Sequence, residues 1–222
     1  MLQELRESVR KAAFEMMKAG LVVGSDGNVS GRDSDTGYIA ITPSGVPYDQ
    51  ISAADIPLVN SEGKVVWGDR RPSSETPMHV CIHNHRRDVR AIMHTHSHYA
   101  TLFAIAQRPI PVATMTIAAH FGGPVPCAPY VRPGSPEMGT ANLAALGKNG
   151  RAMLLGNHGA LIVGPDLDKV LVLAMALEEG AKMIYASWAL GEPVPLPDAE
   201  AHWLFDLVNG MDVEATAKTK VG

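Results

Sequence analysis

Apolar and polar positions alternate with two periods along this 222-residue chain. Leu2, Leu5, Val9, Ala13 and Met16 or Met17 recur at helical spacing, and Gly20 stands where a C-terminal cap belongs. "YIAIT" (38–42) predicts a short strand running into the turn "PSG". "IPLV" and "KVVW" flank Asn60-Ser61-Glu62-Gly63 and predict a hairpin. A helix follows in "SSETPMHVCIHNHRRD", with Ser73, Ser74 or Thr76 as cap and Pro77 in its first turn. "VRAIMHTH" then reads as a strand and "YATLFAIAQ" as a helix. Ser135-Pro136-Glu137 opens a further helix that ends at Gly147 or Gly150. "RAMLLG" and "ALIVG" straddle Asn157-His158-Gly159, a hairpin turn with a histidine at its tip. Asp166 or Asp168 begins a long helix of about six turns, stopping near Gly191 and Pro193.

Strands and helices intermix, and the hairpins argue against an all-parallel sheet. The expectation is an α/β fold: one three-layer αβα domain with a central, largely antiparallel (mixed) sheet flanked by helices. No repeat, low-complexity tract or Ser/Gly linker divides the chain, so residues 1–210 are expected to form the domain and 211–222 a flexible tail.

Composition narrows the function classes. A net charge of −4 offers no basic footprint for nucleic acid and no polybasic membrane patch. Apolar runs such as "VLVLAMAL" fall far short of the ~20 residues that span a bilayer. Charge is mixed through the first twenty residues, unlike a signal peptide, so a cytoplasmic protein is expected. Two cysteines, Cys81 and Cys127, do not frame a disulfide scaffold, and "NVS" at 28–30 is read as a chance sequon.

Candidate chemistry centres on "AIMHTHSH". His94 and His96 share one strand face about 6.6 Å apart, from which two imidazoles can lean onto one ion. His98 starts about 13 Å from His94, too far for a compact site. The pair can equally be polar decoration at the end of a buried strand, and His158 in its turn can be merely solvated. Together the three neutral imidazoles would match a catalytic divalent-metal site, commonly zinc. Ser73-Ser74 at a helix N-terminus favours an anion such as phosphate, whereas Glu75 beside them suits a metal ligand, a base or a first-turn acid. "GSDGNVSG" and "TPSG" read as glycine-rich turns without a nucleotide-binding signature. His79 and His83, four apart, read as ordinary helix residues.

"GNVS", "TPSG", "SSE", "AIMHTHSH", "PCAPY" and "NHG" resemble, in order and spacing, the class II aldolase/adducin-head family from about residue 4 to 190. The resemblance implies His94, His96, His158 and Glu75 as ligands of Zn2+ or another divalent metal such as Mn2+ or Co2+. Glu75 would also be the base. Asn28, Ser44, Gly45, Ser73 and Ser74 would hold a substrate phosphate, and His98 would stand outside the site. It further implies a homotetramer with active sites at subunit interfaces, acting on a small phosphorylated sugar through the enediolate of dihydroxyacetone phosphate. One departure is visible. Met115 stands where the family's aldolases have a tyrosine from a neighbouring subunit, no tyrosine follows Tyr185, and His120 is a candidate acid to replace them. A ribulose-phosphate 4-epimerase is the alternative within the family, although Ala119 aligns with its acidic residue; a sugar-acid-phosphate decarboxylase is another. A non-catalytic, adducin-like interaction domain would have no need of the histidines and Glu75.

Overall fold

A computed structural model describes residues 1–210; the expected tail, 211–222, lies outside the described residues. The chain opens with α1 (Gln3–Lys18), β1 (Asn28–Arg32), β2 (Ile39–Ile41), β3 (Leu58–Val59) and β4 (Val65–Trp67). Then come α2 (Thr76–His85), β5 (Ala91–Thr95), α3 (His98–Ile105), α4 (Met115–Phe121) and β6 (Cys127–Ala128). It closes with α5 (Pro136–Leu146), β7 (Ala152–Leu155), β8 (Gly159–Gly164), α6 (Leu167–Ser187) and α7 (Asp198–Val208). The strands form one sheet in the order β4-β3-β2-β1-β5-β8-β7-β6. Every pairing is antiparallel except β6 on β7.

Alternation along β5 splits the interior into two layers. Ala91 and Met93 pack with Val29, Ala160 and Ile162 against the α1, α3, α4 and α6 side. Ile92 points the other way, into Met78 and Ile82 of α2, Met138 of α5, and Leu161 and Val163 of β8. Both faces are thus apolar, so the central strands read as continuous hydrophobic runs. Burying each such Ile, Leu or Met contributes about 1.5–3 kcal/mol. Asp166 caps α6 by accepting the Lys169 N–H at 2.7 Å. The N-terminus of α3 has no cap of its own; Glu178 on α6 accepts the N–H groups of Tyr99 and Ala100 at 2.8 and 2.9 Å. That bond ties the exit of β5 to the longest helix.

Most expected elements are present, with three differences. "NVSGR" is not a turn: its polar side chains lie in an interior β1 because α2 supplies their partners. α4 and α7 pack on each other and were not evident in the sequence. α2 starts after Glu75, which stands at the N-cap position without a side-chain cap bond.

Candidate active site

Sheet register assembles the histidines. On β5, His94 lies between Asn28 of β1 and Leu161 of β8. It shares the α2-facing side with Ile92, two residues back. His96 follows the strand end, with its N–H bonded to the Leu21 carbonyl at 3.1 Å. His158 closes the three-residue link between β7 and β8, where Asn157 adopts a left-handed φ of 57° and bonds the Ala104 carbonyl at 2.9 Å. His94 Nε2 is 3.0 Å from His96 Nε2 and 3.2 Å from His158 Nε2. Gly159 leaves room for this cluster. A Cβ there would sit 2.3 Å from the Thr95 carbonyl oxygen, 3.1 Å from His96 Cδ2 and 3.3 Å from His94 Cε1.

The donor set suits a divalent cation. His94 Nδ1 donates to the Ala160 carbonyl at 2.9 Å, which leaves Nε2 of the neutral ring as a lone pair. Complete burial keeps that ring neutral, pushing its pKa down to about 4 against the pull of Glu75. Burial likewise lowers His158. One lone pair accepts one proton, so the two rings facing His94 Nε2 cannot both be satisfied by it. A cation between the three ring nitrogens would resolve the crowding, and their ligating atoms all lie within 4.8 Å of one another. His98 is exposed, edge-on to Tyr99, and outside this cluster.

Glu75 borders the cluster. Its Oε2 is 3.2 Å from His94 Nε2, and Oε1 is 3.8 Å from His158 Nε2. Asn28 Nδ2 donates to Oε2 at 2.8 Å, whereas Oε1 is buried with no partner among the described residues. Burial pushes the carboxyl up, but His94, the Asn28 bond and the two other histidines outweigh it, holding it below the usual range.

The loops carrying the other expected residues run side by side. Ser73 N–H bonds the Thr42 carbonyl at 3.1 Å and Ser44 N–H the Arg71 carbonyl at 2.9 Å. Ser44, Gly45 and Ser74 are exposed, the first two on the loop beside Arg71 and Ser74 just before α2, while Ser73 is buried and its Oγ accepts the Glu75 N–H at 3.3 Å. Gly45 has φ 72°, a left-handed turn position that suits glycine. Asn28 lies deeper, its amide between Glu75 and a histidine of α2.

That histidine is His79, and it joins Ser30 and His83 in a buried polar column missed in the sequence. His79 Nε2 lies 2.5 Å from Asn28 Oδ1, and Ser30 Oγ is 2.6 Å from His79 Nδ1 and 2.9 Å from His83 Nε2. Neither histidine is an ordinary helix residue: both have 0% exposure. His120 is not brought to the cluster. Arg151 Nη1 contacts its carbonyl at 3.4 Å, beside the start of β7, whereas His158 follows the end of that strand. Met115 is 66% exposed.

Fold and cluster together define an αβα enzyme with a carboxylate beside three imidazoles. Residues 7–185 match the family described as class II aldolase and adducin N-terminal domain, and the chain belongs to that family. It is 35% identical over 201 residues to a 5-deoxy-D-ribulose 1-phosphate aldolase of Bacillus thuringiensis serovar kurstaki, covering 90% of this chain and 93% of the relative. An L-fuculose phosphate aldolase of Escherichia coli O6:H1 is 36% identical over 193 residues, with 87% and 88% covered. A solved L-fuculose 1-phosphate aldolase superposes with a TM-score of 0.89 at 33% identity, over 93% of this chain and 96% of that one. The chain is accordingly an enzyme of the lyase class.

Proposed function

We propose that this enzyme is a divalent-metal-dependent aldolase that makes or cleaves a ketose 1-phosphate through the enediolate of dihydroxyacetone phosphate. The observation that carries the reading is the free Oε1 of Glu75 next to three converging imidazoles. His94, His96 and His158, with Glu75 at the free site, would hold the ion. Zinc is the first choice, with Mn2+ or Co2+ as alternatives, and the ion would supply Lewis-acid polarisation of the substrate carbonyl. Glu75 removes the proton next to that carbonyl, a task for a carboxylate whose second oxygen is anchored. Ser44, Gly45, Ser73 and Ser74, with the N–H groups opening α2, would bind the phosphate, whereas the amide of Asn28, the fifth residue expected there, is engaged between Glu75 and His79. Fixing the non-reacting end in this way holds the reacting carbon in line with the base. Names of the relatives support a phosphorylated ketose as substrate.

Two measurements test the reading. Metal analysis of purified protein should find a divalent ion, or saturable uptake of one; the absence of both would overturn the metal-dependent reading. Solvent deuterium should exchange into dihydroxyacetone phosphate, and Glu75→Gln should slow this by about 10²–10⁴-fold. Exchange at the wild-type rate in that variant would refute Glu75 as base.

A further inference from the structure

Two polar columns meet between β1 and α2, sealed from solvent, and the proton abstraction above uses only their end. Asn28 and Ser30 are two apart on the strand; Glu75, His79 and His83 follow at four-residue steps at the N-cap and along the helix. Two strand residues advance about 6.6 Å and four helical residues about 6 Å, so the columns stay in step. Asn28 is 3% exposed, and Ser30, His79 and His83 are 0% exposed.

The donors in this column can be assigned by elimination. Glu75 Oε2 only accepts, so Asn28 turns its NH2 toward it and its Oδ1 toward His79. Oδ1 only accepts, so His79 carries its proton on Nε2 and presents a lone pair at Nδ1. That lone pair takes the Ser30 O–H at 2.6 Å. Ser30 Oγ then accepts from His83 Nε2–H at 2.9 Å, in preference to the 3.4 Å approach of His83 Nδ1 to the Val89 carbonyl. Every donor points the same way, from His83 to Glu75. Flipping the Asn28 amide would set its oxygen against the carboxylate and its NH2 against the His79 N–H, spoiling two buried hydrogen bonds together.

We infer that Ser30, His79 and His83 are positioning residues. They fix the orientation of the Asn28 amide and thereby decide which oxygen of Glu75 is tethered (Oε2) and which is free to take the proton (Oε1). The catalytic part of this inference rests on the aldolase reading; the tautomer part does not.

The two parts are tested separately. Long-range 15N NMR on the full-length protein should show His79 and His83 as Nε2–H tautomers, and a Nδ1–H tautomer at His79 would overturn the inference. His79→Asn keeps an acceptor toward Ser30 but no donor toward Asn28, whereas His79→Gln keeps the donor. His79→Asn should lower kcat for deuterium exchange into dihydroxyacetone phosphate about 10–100-fold, with KM and bound metal close to wild type, at an assay temperature where the variant remains folded. His79→Gln should restore the rate toward wild type, and Ser30→Ala should reduce kcat in the same direction as His79→Asn. Equal rates in the Asn and Gln variants, or a loss that follows metal content, would refute the positioning role. Should the wild-type protein itself not exchange, the aldolase reading fails and the tautomers alone decide the column.

Discussion

At the scale of single residues, the site depends on what is missing from Gly159 as much as on what the histidines supply. A methyl group there meets the Thr95 carbonyl and both neighbouring imidazoles, and a packed interior does not absorb such an intrusion without strain. Gly159→Ala should therefore cost about 1–3 kcal/mol of stability. It should also weaken uptake of divalent metal, read by isothermal titration, because the His94 and His96 rings must move. Metal affinity equal to wild type would show that the rings can re-form the cluster elsewhere. Much of this neighbourhood is legible in the sequence. Two alternate histidines on a strand leave a metal pair open, the same rise that pairs His94 with His96 removes His98, and only the family resemblance adds His158 from its glycine-flanked turn. The spacing cannot reveal that Asn28 is the cross-strand neighbour of His94, because strand register between distant segments leaves no mark on either segment alone.

The element that sequence reading undervalued is α2. Glu75, His79 and His83 stand at four-residue steps, a visible signal that one helix face is polar. Its burial against β1 depends on "NVSGR" being a strand, and that segment has neither the length nor the apolar alternation of one. The cost of this packing is a dependence on pH. His83 is held neutral because burial, and then the charge of Arg32, push its pKa down to about 3, against 6.5 for the ordinary side chain. His79 is also lowered, by burial and its histidine neighbours. Between the two values for His83 the unfolded chain binds more protons than the folded one. The contribution of His83 to stability is complete well above pH 6.5 and falls as the pH drops toward about 3, by about 1.4 kcal/mol per unit. Denaturant unfolding of metal-free protein between pH 7.5 and 5 should show this slope. His83→Leu should flatten it by about one proton whatever its own stability, and an unchanged slope would mean that His83 titrates as freely in the fold as outside it.

On the scale of the whole molecule, the two-sided apolar sheet follows from the sequence, since hairpins, buried runs and amphipathic helices admit few other layer arrangements. What escapes single-chain periodicity is anything completed by a second copy. No helix among the described residues is long and apolar enough to cross a membrane, yet α6 leaves Val172, Met175 and Met183 between 40 and 50% exposed. Those side chains, and exposed Met115 at the start of α4, fit a surface covered by other subunits. Sedimentation should therefore give a species of about four chain masses at micromolar concentration, as the family resemblance implies. A monomer with full activity would exclude a shared site. In a tetramer, Met115→Tyr should place a phenol at the position where the family resemblance expects a tyrosine. The predicted signature is a faster cleavage of ketose 1-phosphates with deuterium exchange into dihydroxyacetone phosphate unchanged, because a phenol at the aldehyde end would serve carbon–carbon cleavage and not the proton removal proposed for Glu75. Were both rates to change together, Met115 would be acting on the carboxylate side of the site, and the aldehyde end would have to be sought on another element.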